Sequence, residues 1–172
     1  SIGSRVCQLL ATEADVDAVI GLDINARRGH IDNITDHRVD LRHDDLKPLI
    51  EGATTIVHLA SSFDPKFDGV DTAPADVEAT LRVLEAASGV GVKRLVLLSS
   101  AMVYGAWETN PVPITEDHPI NPNPEFSFGV VKAEVERLAS EWRTTYPGSE
   151  VVVFRPATAL AEGENSWVAR SL

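Results

Sequence analysis

The feature that most constrains the fold of this chain is a series of short, nearly continuous apolar runs separated by stretches of helical periodicity. Such runs are typical of strands covered on both faces, as in parallel sheets. Strand–helix alternation of this kind predicts a doubly wound α/β fold with a parallel sheet. The predicted strands are 16–22, 38–41, 54–60, 94–98 and 150–154, and the predicted helices are 5–10, 44–50, 76–87 (stopped by Gly89) and 128–142, with a proline-rich loop over 107–124.

Charge and cysteine content exclude several classes of function. The chain has 172 residues, about one domain, and its 15 basic and 26 acidic residues give a net charge of −11. Such a charge repels phosphate backbones and anionic lipid, so we expect a small-molecule substrate or a protein partner, no nucleic acid and no membrane. The single cysteine, Cys7, excludes an internal disulfide and favours a cytoplasmic protein. The five histidines show no ligand spacing, so no metal is expected.

Both ends of the sequence depart from a complete doubly wound domain. No strand run precedes the first predicted helix, and the chain stops soon after the last strand run. A doubly wound sheet starts with its central strand, and an empty central position leaves the edges of its neighbours unpaired. We therefore expect residues 1–172 to form one domain that lacks its first strand, in a fragment or ordered part of a longer protein. The alternative is a complete small domain.

A series of short motifs follows the chain in order. The motifs are Ser1-Ile2-Gly3-Ser4, Asp23-Ile24-Asn25, Asp40-Leu41, His58-Leu59-Ala60-Ser61, Leu98-Ser99-Ser100-Ala101-Met102-Val103-Tyr104-Gly105, Pro113-Ile114-Thr115-Glu116-Asp117 and Phe154-Arg155-Pro156-Ala157-Thr158. Together and in this order they resemble the extended short-chain dehydrogenase/reductase family, specifically its nucleotide-sugar epimerase/dehydratase group. The resemblance implies a Rossmann-type NAD(P)-binding domain whose C-terminal substrate part is missing.

The resemblance implies a set of cofactor contacts. Gly3, preceded by Ile2, would let the start of a helix approach a pyrophosphate, which a helix N-terminus favours electrostatically. Asp23 would accept the adenosine ribose hydroxyls and repel a 2′-phosphate, so NAD is favoured over NADP, although Arg27 and Arg28 weaken that preference. The other implied cofactor-binding residues are Asp40 and Leu41 at the adenine, Leu59, Ala60 and Ser61 beside the dinucleotide, Lys132 at the nicotinamide ribose, and Pro156.

The implied catalytic residues include one decisive departure from the family. Ser100 matches the hydroxyl that hydrogen-bonds the reacting substrate oxygen, and Lys132 matches the lysine of the family's Y-x-x-x-K pair. Phe128 occupies the tyrosine position and cannot transfer a proton, which removes a contribution of about 10²–10⁴-fold in rate. Asp76 is a second departure, since the family usually has asparagine there.

Three functions remain open from the sequence. The first is an NAD-dependent epimerase/dehydratase or dehydrogenase that uses another acid/base, with Tyr104 or a bound water as candidates. The second is a catalytically silent dinucleotide-binding sensor or scaffold, and the third is a fold relic without cofactor. The substrate would be a nucleotide sugar or a similar hydroxyl-bearing small molecule, and a steroid or flavonoid-type alcohol is the alternative. The resemblance also implies a homodimer joined through helices 76–87 and 128–142.

Overall fold

A computed structural model describes residues 2–25, 31–61 and 73–157 of the chain. Strands alternate with helices and short 3₁₀ turns along these residues, as predicted. In chain order the elements are α1 (Ile2–Leu10), β1 (Val19–Asp23), β2 (Ile34–Arg38), a first 3₁₀ turn (Lys47–Leu49), β3 (Thr55–His58), α2 (Ala73–Val90), β4 (Arg94–Leu98), a second 3₁₀ turn (Ala101–Tyr104), α3 (Ser127–Thr145) and β5 (Glu150–Phe154).

Some predicted boundaries are wrong, each for a local reason. β2 lies over Ile34–Arg38 rather than 38–41. Three of its five side chains are exposed and polar, and within the described ranges it pairs with β1 alone, so no apolar run marks this strand in the sequence. The predicted helix over 44–50 is only the 3₁₀ turn Lys47–Leu49, with Pro48 at its start. Helix α2 continues through Gly89 to Val90, and it is Gly91, with φ of 77°, that adopts the left-handed conformation after its end.

All observed strand pairs are parallel, which confirms the predicted α/β class. β1 pairs with β2 in one sheet, and β4 lies between β3 and β5 in another. In the doubly wound strand order, the position between β1 and β3 belongs to the first strand. Within the described ranges no strand occupies that position, in agreement with the Rossmann-type fold without its first strand that the sequence predicts.

The core lies where α2 and α3 pack together against the β3–β4–β5 sheet. α3 contributes one buried apolar face, which alternates in the sequence with the exposed charges of the other face. Trp142 closes the far end of this core, and its indole N–H donates to the hydroxyl of Ser88 on α2 at 2.9 Å. The largest cluster comprises Leu84, Ala87, Val92, Leu95, Leu97, Val131, Val135, Leu138, Ala139 and Trp142.

The parallel arrangement brings the carboxyl ends of β3, β4 and β5 to one edge of their sheet. Those ends are His58, Leu98 and Phe154. Ligands of open α/β sheets bind outside this edge. None of the helices in the described part of the chain is both long and apolar enough to cross a membrane.

Candidate functional site

Lys132 lies at the carboxyl edge of the sheet, on the first half of α3. Its side chain is buried, and its ammonium donates a hydrogen bond to the backbone carbonyl of Leu98, the last residue of β4, at 3.3 Å. The same ammonium lies 5.5 Å from the centroid of the Phe128 ring, one helical turn earlier, within the range of a cation–π contact. A buried cation therefore lies at the end of a central strand, beside an aromatic ring.

Gly129 lets the start of α3 approach the second 3₁₀ turn closely. A Cβ atom at this position would lie 2.9 Å from the carbonyl oxygen of Met102, closer than real side chains come to backbone. The helix segment that holds Phe128 and Lys132 consequently packs directly on the turn that follows β4. The sequence places Ser100 at the beginning of that turn, so the docking brings the predicted catalytic segments together.

The hydroxyl of Ser100 is buried and caps the second 3₁₀ turn. Its oxygen accepts a hydrogen bond from the backbone N–H of Met102 at 3.2 Å, which leaves the hydroxyl proton available for another acceptor. The neighbouring Ser99 has a different partner, because its hydroxyl donates to Glu136 on α3. Of the two serines, Ser100 is therefore the one whose hydroxyl proton is not used in a described hydrogen bond.

His58 is a buried neutral side chain next to Lys132. The Thr80 hydroxyl donates its only proton to the backbone carbonyl of Asp76 at 2.8 Å, so the 3.0 Å contact between Thr80 Oγ1 and His58 Nε2 requires the histidine nitrogen to donate. Burial, together with the nearby charge of Lys132, lowers the pKa of His58 from 6.5 to about 4, against the opposing effect of Asp76. The imidazole is therefore uncharged at neutral pH.

Burial also lowers the pKa of Lys132, and the negative charge of Asp76 opposes that effect. The Asp76 side chain is half-buried in the first turn of α2, and its carboxylate accepts a hydrogen bond from the Ser61 hydroxyl at 2.6 Å. Polar groups thus come together at one corner from three places. These are the start of α2, the segment that follows β3, and helix α3. We call this cluster the lysine corner; it comprises Lys132, His58, Thr80, Asp76 and Ser61.

A second buried polar cluster is built around Glu136, one turn after Lys132 on α3. The Glu136 carboxylate accepts from the Arg155 side chain through Nε at 3.0 Å and Nη2 at 2.7 Å, as well as from Ser99. Arg155 Nη1 donates to the hydroxyl of Tyr104 at 2.6 Å and to the backbone carbonyl of Glu116 at 3.0 Å. We call this cluster the arginine corner; it comprises Glu136, Arg155, Ser99, Tyr104 and the Glu116 carbonyl.

Glu136 is the dominant cause of a raised pKa at Arg155, so this arginine stays charged. The Arg155 guanidinium also lies 5.2 Å from the centroid of the Tyr104 ring. The Tyr104 hydroxyl, predicted as a candidate acid/base, is thus bound to a permanent cation within the arginine corner.

The predicted pyrophosphate and dinucleotide-flanking residues lie around the amino end of α1 and the end of β3. Gly3 lies in the first turn of α1, and a Cβ atom there would be 4.0 Å from the Leu59 side chain. Ile2 is exposed beside it, and Ala60 and Ser61 are exposed after β3. The structure therefore brings these predicted residues together.

The predicted ribose and adenine residues lie together at the end of the other sheet. Asp23 ends β1, where its carboxylate accepts from the backbone N–H of Asn25 at 2.8 Å and its carbonyl accepts from Val39 at 2.9 Å. Asp40 and Leu41 follow directly, and bidentate hydrogen bonds from Arg42 lower the pKa of Asp40 to about 2. Arg27, Arg28 and Thr158 lie outside the described residues.

Pro156 follows β5 and is exposed, and its carbonyl accepts from the backbone N–H of Ala101 at 2.9 Å. This hydrogen bond places the segment after β5 beside the turn that carries Ser100. Within the described ranges, no cluster of three or more His, Cys, Asp or Glu side chains is arranged to hold a metal ion.

Sequence reasoning missed the roles of His58, Thr80, Glu136 and Arg155. The spacing of Phe128, Lys132 and Glu136, each four residues apart, places them on one helix face and could have indicated Glu136. The partners of His58 and Arg155 come from distant segments, and no local pattern announces them. In the arginine corner the ion pair joins α3 to the end of β5.

Parallel sheets, covering helices and polar groups at the carboxyl edge define a Rossmann-type α/β protein. The sequence profile of the NAD dependent epimerase/dehydratase family matches residues 1–171. The chain therefore belongs to the NAD dependent epimerase/dehydratase family.

Two relatives and one solved structure illustrate the similarity. The chain is 30% identical over 139 residues to UDP-glucose 4-epimerase 2 of Oryza sativa subsp. japonica, covering 73% of this chain and 31% of the relative. It is 33% identical over 154 residues to UDP-glucose 4-epimerase of Mycolicibacterium smegmatis (strain ATCC 700084 / mc(2)155), covering 78% of this chain and 46% of the relative.

The structure resembles that of a DesIV double mutant, a dTDP-glucose 4,6-dehydratase from Streptomyces venezuelae, with NAD and DAU bound. The TM-score is 0.74 at 28% identity, over 90% of this chain and 52% of that chain. The chain thus spans 31% and 46% of the two curated relatives and about half of this structural neighbour.

Proposed function

We propose that the chain is the dinucleotide-binding part of an NAD-dependent epimerase/dehydratase-type oxidoreductase or isomerase. Its substrate would be a nucleotide sugar or a similar hydroxyl-bearing small molecule. The family supports the reaction class, and the UDP-glucose and dTDP-glucose names of the similar proteins support the substrate class. When bound, NAD supplies the hydride acceptor and donor.

The observation that carries the proposal is the incomplete hydrogen bonding of the buried Lys132 ammonium. Lysine has three N–H donors, and in the described part of the chain one of them reaches an acceptor, the Leu98 carbonyl. A buried donor without an acceptor costs roughly 1–3 kcal/mol. Two neighbouring hydroxyl oxygens of a nicotinamide ribose would supply the missing acceptors at the carboxyl edge, where Rossmann-type proteins bind dinucleotides.

Cofactor binding would extend from Lys132 to the end of the other sheet. Gly3 and the α1 amino end would accept the pyrophosphate, and the Asp23 carboxylate would accept the adenosine ribose hydroxyls. Asp23 is exposed and its described polar partner is one backbone N–H, so it can still accept from a ligand. An anion at this position favours NAD over NADP.

Ser100 and Lys132 would be the catalytic residues, with Phe128 at the position of the family's tyrosine. The Ser100 proton can be donated to a substrate oxygen, while the Phe128 ring lies against Lys132 and offers no proton. The Tyr104 hydroxyl accepts from Arg155 within the arginine corner, which favours a bound water over Tyr104 as the replacement acid/base.

A second candidate function rests on the Phe128 ring beside Lys132. A site that keeps the lysine but has phenylalanine beside it can bind a dinucleotide without moving a proton, as a sensor or scaffold would. Turnover separates the two candidates, because both predict cofactor binding.

The proposed protein acts as a homodimer through α2 and α3. Leu81 on α2 and Val130 on α3 are exposed apolar side chains, at 42% and 41% of their maximal surface, on the two helices that would form such an interface. Sedimentation equilibrium of the full-length protein, compared with a Leu81→Glu/Val130→Glu variant, tests this assembly.

The test of the proposed reaction is the variant Phe128→Tyr in the full-length protein. Restoring a phenol beside Lys132 is expected to raise turnover of UDP-glucose or another UDP-hexose by about 10²–10⁴-fold, the usual value of a positioned acid/base. The matched control is Phe126→Tyr, since Phe126 is also an aromatic residue at the start of α3, with its ring 6.0 Å from that of Phe128. A gain of only a few-fold in Phe128→Tyr, or an equal gain in the control, would contradict the role given to position 128.

A further inference from the structure

The buried ammonium of Lys132 needs a compensating negative charge. Its one hydrogen-bond acceptor in the described residues is the uncharged Leu98 carbonyl, and its other contact is the Phe128 ring. Neither carries a formal charge, and an isolated buried cation is strongly unfavourable. A carboxylate near this edge of the sheet would therefore stabilise the charged form of Lys132.

The other ionisable groups near Lys132 in the described part of the chain do not supply the compensating negative charge. Glu136, on the same helix face, is occupied by the charge of Arg155. Glu134 forms an ion pair with Arg137 at 2.6 Å on the exposed side of the helix. His58, which faces the site from β3, is neutral at pH 7 and provides no anion.

Asp76 is held in place for this role by contacts that do not involve Lys132. Its carboxylate accepts from Ser61 just beyond the end of β3, at 2.6 Å. Its backbone carbonyl is linked through the Thr80 hydroxyl to His58, the last residue of β3. β3 is the parallel neighbour of β4, whose last carbonyl binds Lys132, so these contacts fix Asp76 at the same edge of the sheet.

We propose that Asp76 is the counter-charge of Lys132: a positioning residue, held by Ser61 and the Thr80–His58 pair, that keeps the lysine protonated for its cofactor contact. The cofactor part of this inference rests on the proposed function, whereas the charge pairing does not. The electrostatics of Lys132 support the charge pairing. Burial lowers the pKa of Lys132, and the negative charge of Asp76 opposes that effect.

The pairing is tested by titrating Lys132 in the full-length protein. The side-chain ¹³Cε and ¹⁵Nζ signals of labelled lysine report the pKa, and Lys132→Met assigns the signal. Asp76→Asn, which keeps the shape and can still accept from Ser61, is expected to lower the pKa of Lys132 below its wild-type value. Asp76→Glu, which keeps the charge, is expected to bring the value back towards wild type.

The matched control is Glu78→Gln, two residues further along the same helix. Glu78 is exposed and acts on Arg42 instead of Lys132, so its neutralisation should leave the Lys132 titration unchanged. Equal titrations of Lys132 in wild type and Asp76→Asn, or equal shifts in Asp76→Asn and Glu78→Gln, would overturn the proposal. If Asp76→Asn does not fold, Asp76→Ser is measured and judged by the same criterion.

A second measurement connects the pairing to the cofactor. NAD affinity is followed by calorimetry between pH 7 and 10, where binding that requires a protonated lysine weakens about tenfold per pH unit above its pKa. Asp76→Asn should begin to lose affinity at a lower pH than wild type, and superimposed pH profiles would contradict the positioning role. If wild type binds no NAD at any pH, the proposed function fails, while the lysine titration still decides the charge pairing.

Discussion

The lysine corner and the arginine corner each bury a charged side chain of α3, one turn apart, yet they compensate that charge very differently. Glu136 accepts hydrogen bonds from Ser99 and from two nitrogens of Arg155, and it is only 6% exposed. Lys132 is equally buried, at 7%, but in the described residues it has one carbonyl acceptor and an aromatic neighbour.

The difference separates a structural role from a binding role. A buried ion pair with its hydrogen bonds satisfied fixes the packing of the elements that carry it, here α3, β5 and the turn after β4. A buried cation that has unused hydrogen-bond donors is stabilised by a ligand that supplies the missing acceptors. On this proposal the same helix face holds both an anchor, Glu136, and a binding group, Lys132, and the number of hydrogen-bond partners distinguishes them.

The largest expected effect comes from breaking the arginine corner. Glu136→Ala removes the buried carboxylate and leaves the partly buried Arg155 without its ion-pair partner, and the free energy of unfolding should fall by about 3–5 kcal/mol. Urea denaturation followed by circular dichroism measures the loss.

Two comparisons sharpen that prediction. The double variant Glu136→Met/Arg155→Met removes both charges and should recover most of the lost stability, since no unpaired ion remains. Arg137→Ala, which removes two exposed ion pairs on the other face of α3, should leave the denaturation midpoint almost unchanged. A Glu136→Ala protein as stable as Arg137→Ala would show that the arginine corner is not an anchor.

A smaller loss of stability is expected when low pH favours protonation of His58 in the lysine corner. The pKa of His58 is about 4 in the folded protein and 6.5 without burial, so the unfolded chain binds the proton more readily. This contribution to stability is present above pH 6.5 and is lost as the pH falls towards 4, by about 3 kcal/mol in total.

Unfolding free energies of wild type and His58→Gln between pH 7 and 4 measure that contribution. Glutamine can still donate to Thr80 but does not titrate, so the variant should lose less stability than wild type over this range. Parallel stability curves for the two proteins would mean that His58 is not buried as a neutral group.

The sequence predicted those elements whose signal is local. β4 and β5 have the bounds that their apolar runs indicated, because four of the five residues in each strand are apolar and follow one another directly. The predicted position of β2 is wrong because its residues Ile34–Arg38 are mainly polar and because, in the part of the chain that the structure describes, it has a single partner strand.

The same limit applies to the site. Ser100 and Lys132 follow from short motifs, and the structure brings both to one edge of the sheet through the docking of α3 on the turn after β4. The Thr80–His58 contact and the Glu136–Arg155 pair join segments far apart in the chain. Each partner alone looks like an ordinary polar residue, so only the folded arrangement shows what it does.

The central claim, that the lysine corner is a dinucleotide site, is tested most directly by calorimetric titration of the full-length protein with NAD and, separately, NADP. Micromolar binding of NAD with weaker binding of NADP is expected. Lys132→Met should reduce NAD affinity by about tenfold or more, the value of a hydrogen bond to a charged group, without loss of stability. Absence of binding for both dinucleotides, or NAD affinity unchanged in Lys132→Met, would contradict the account.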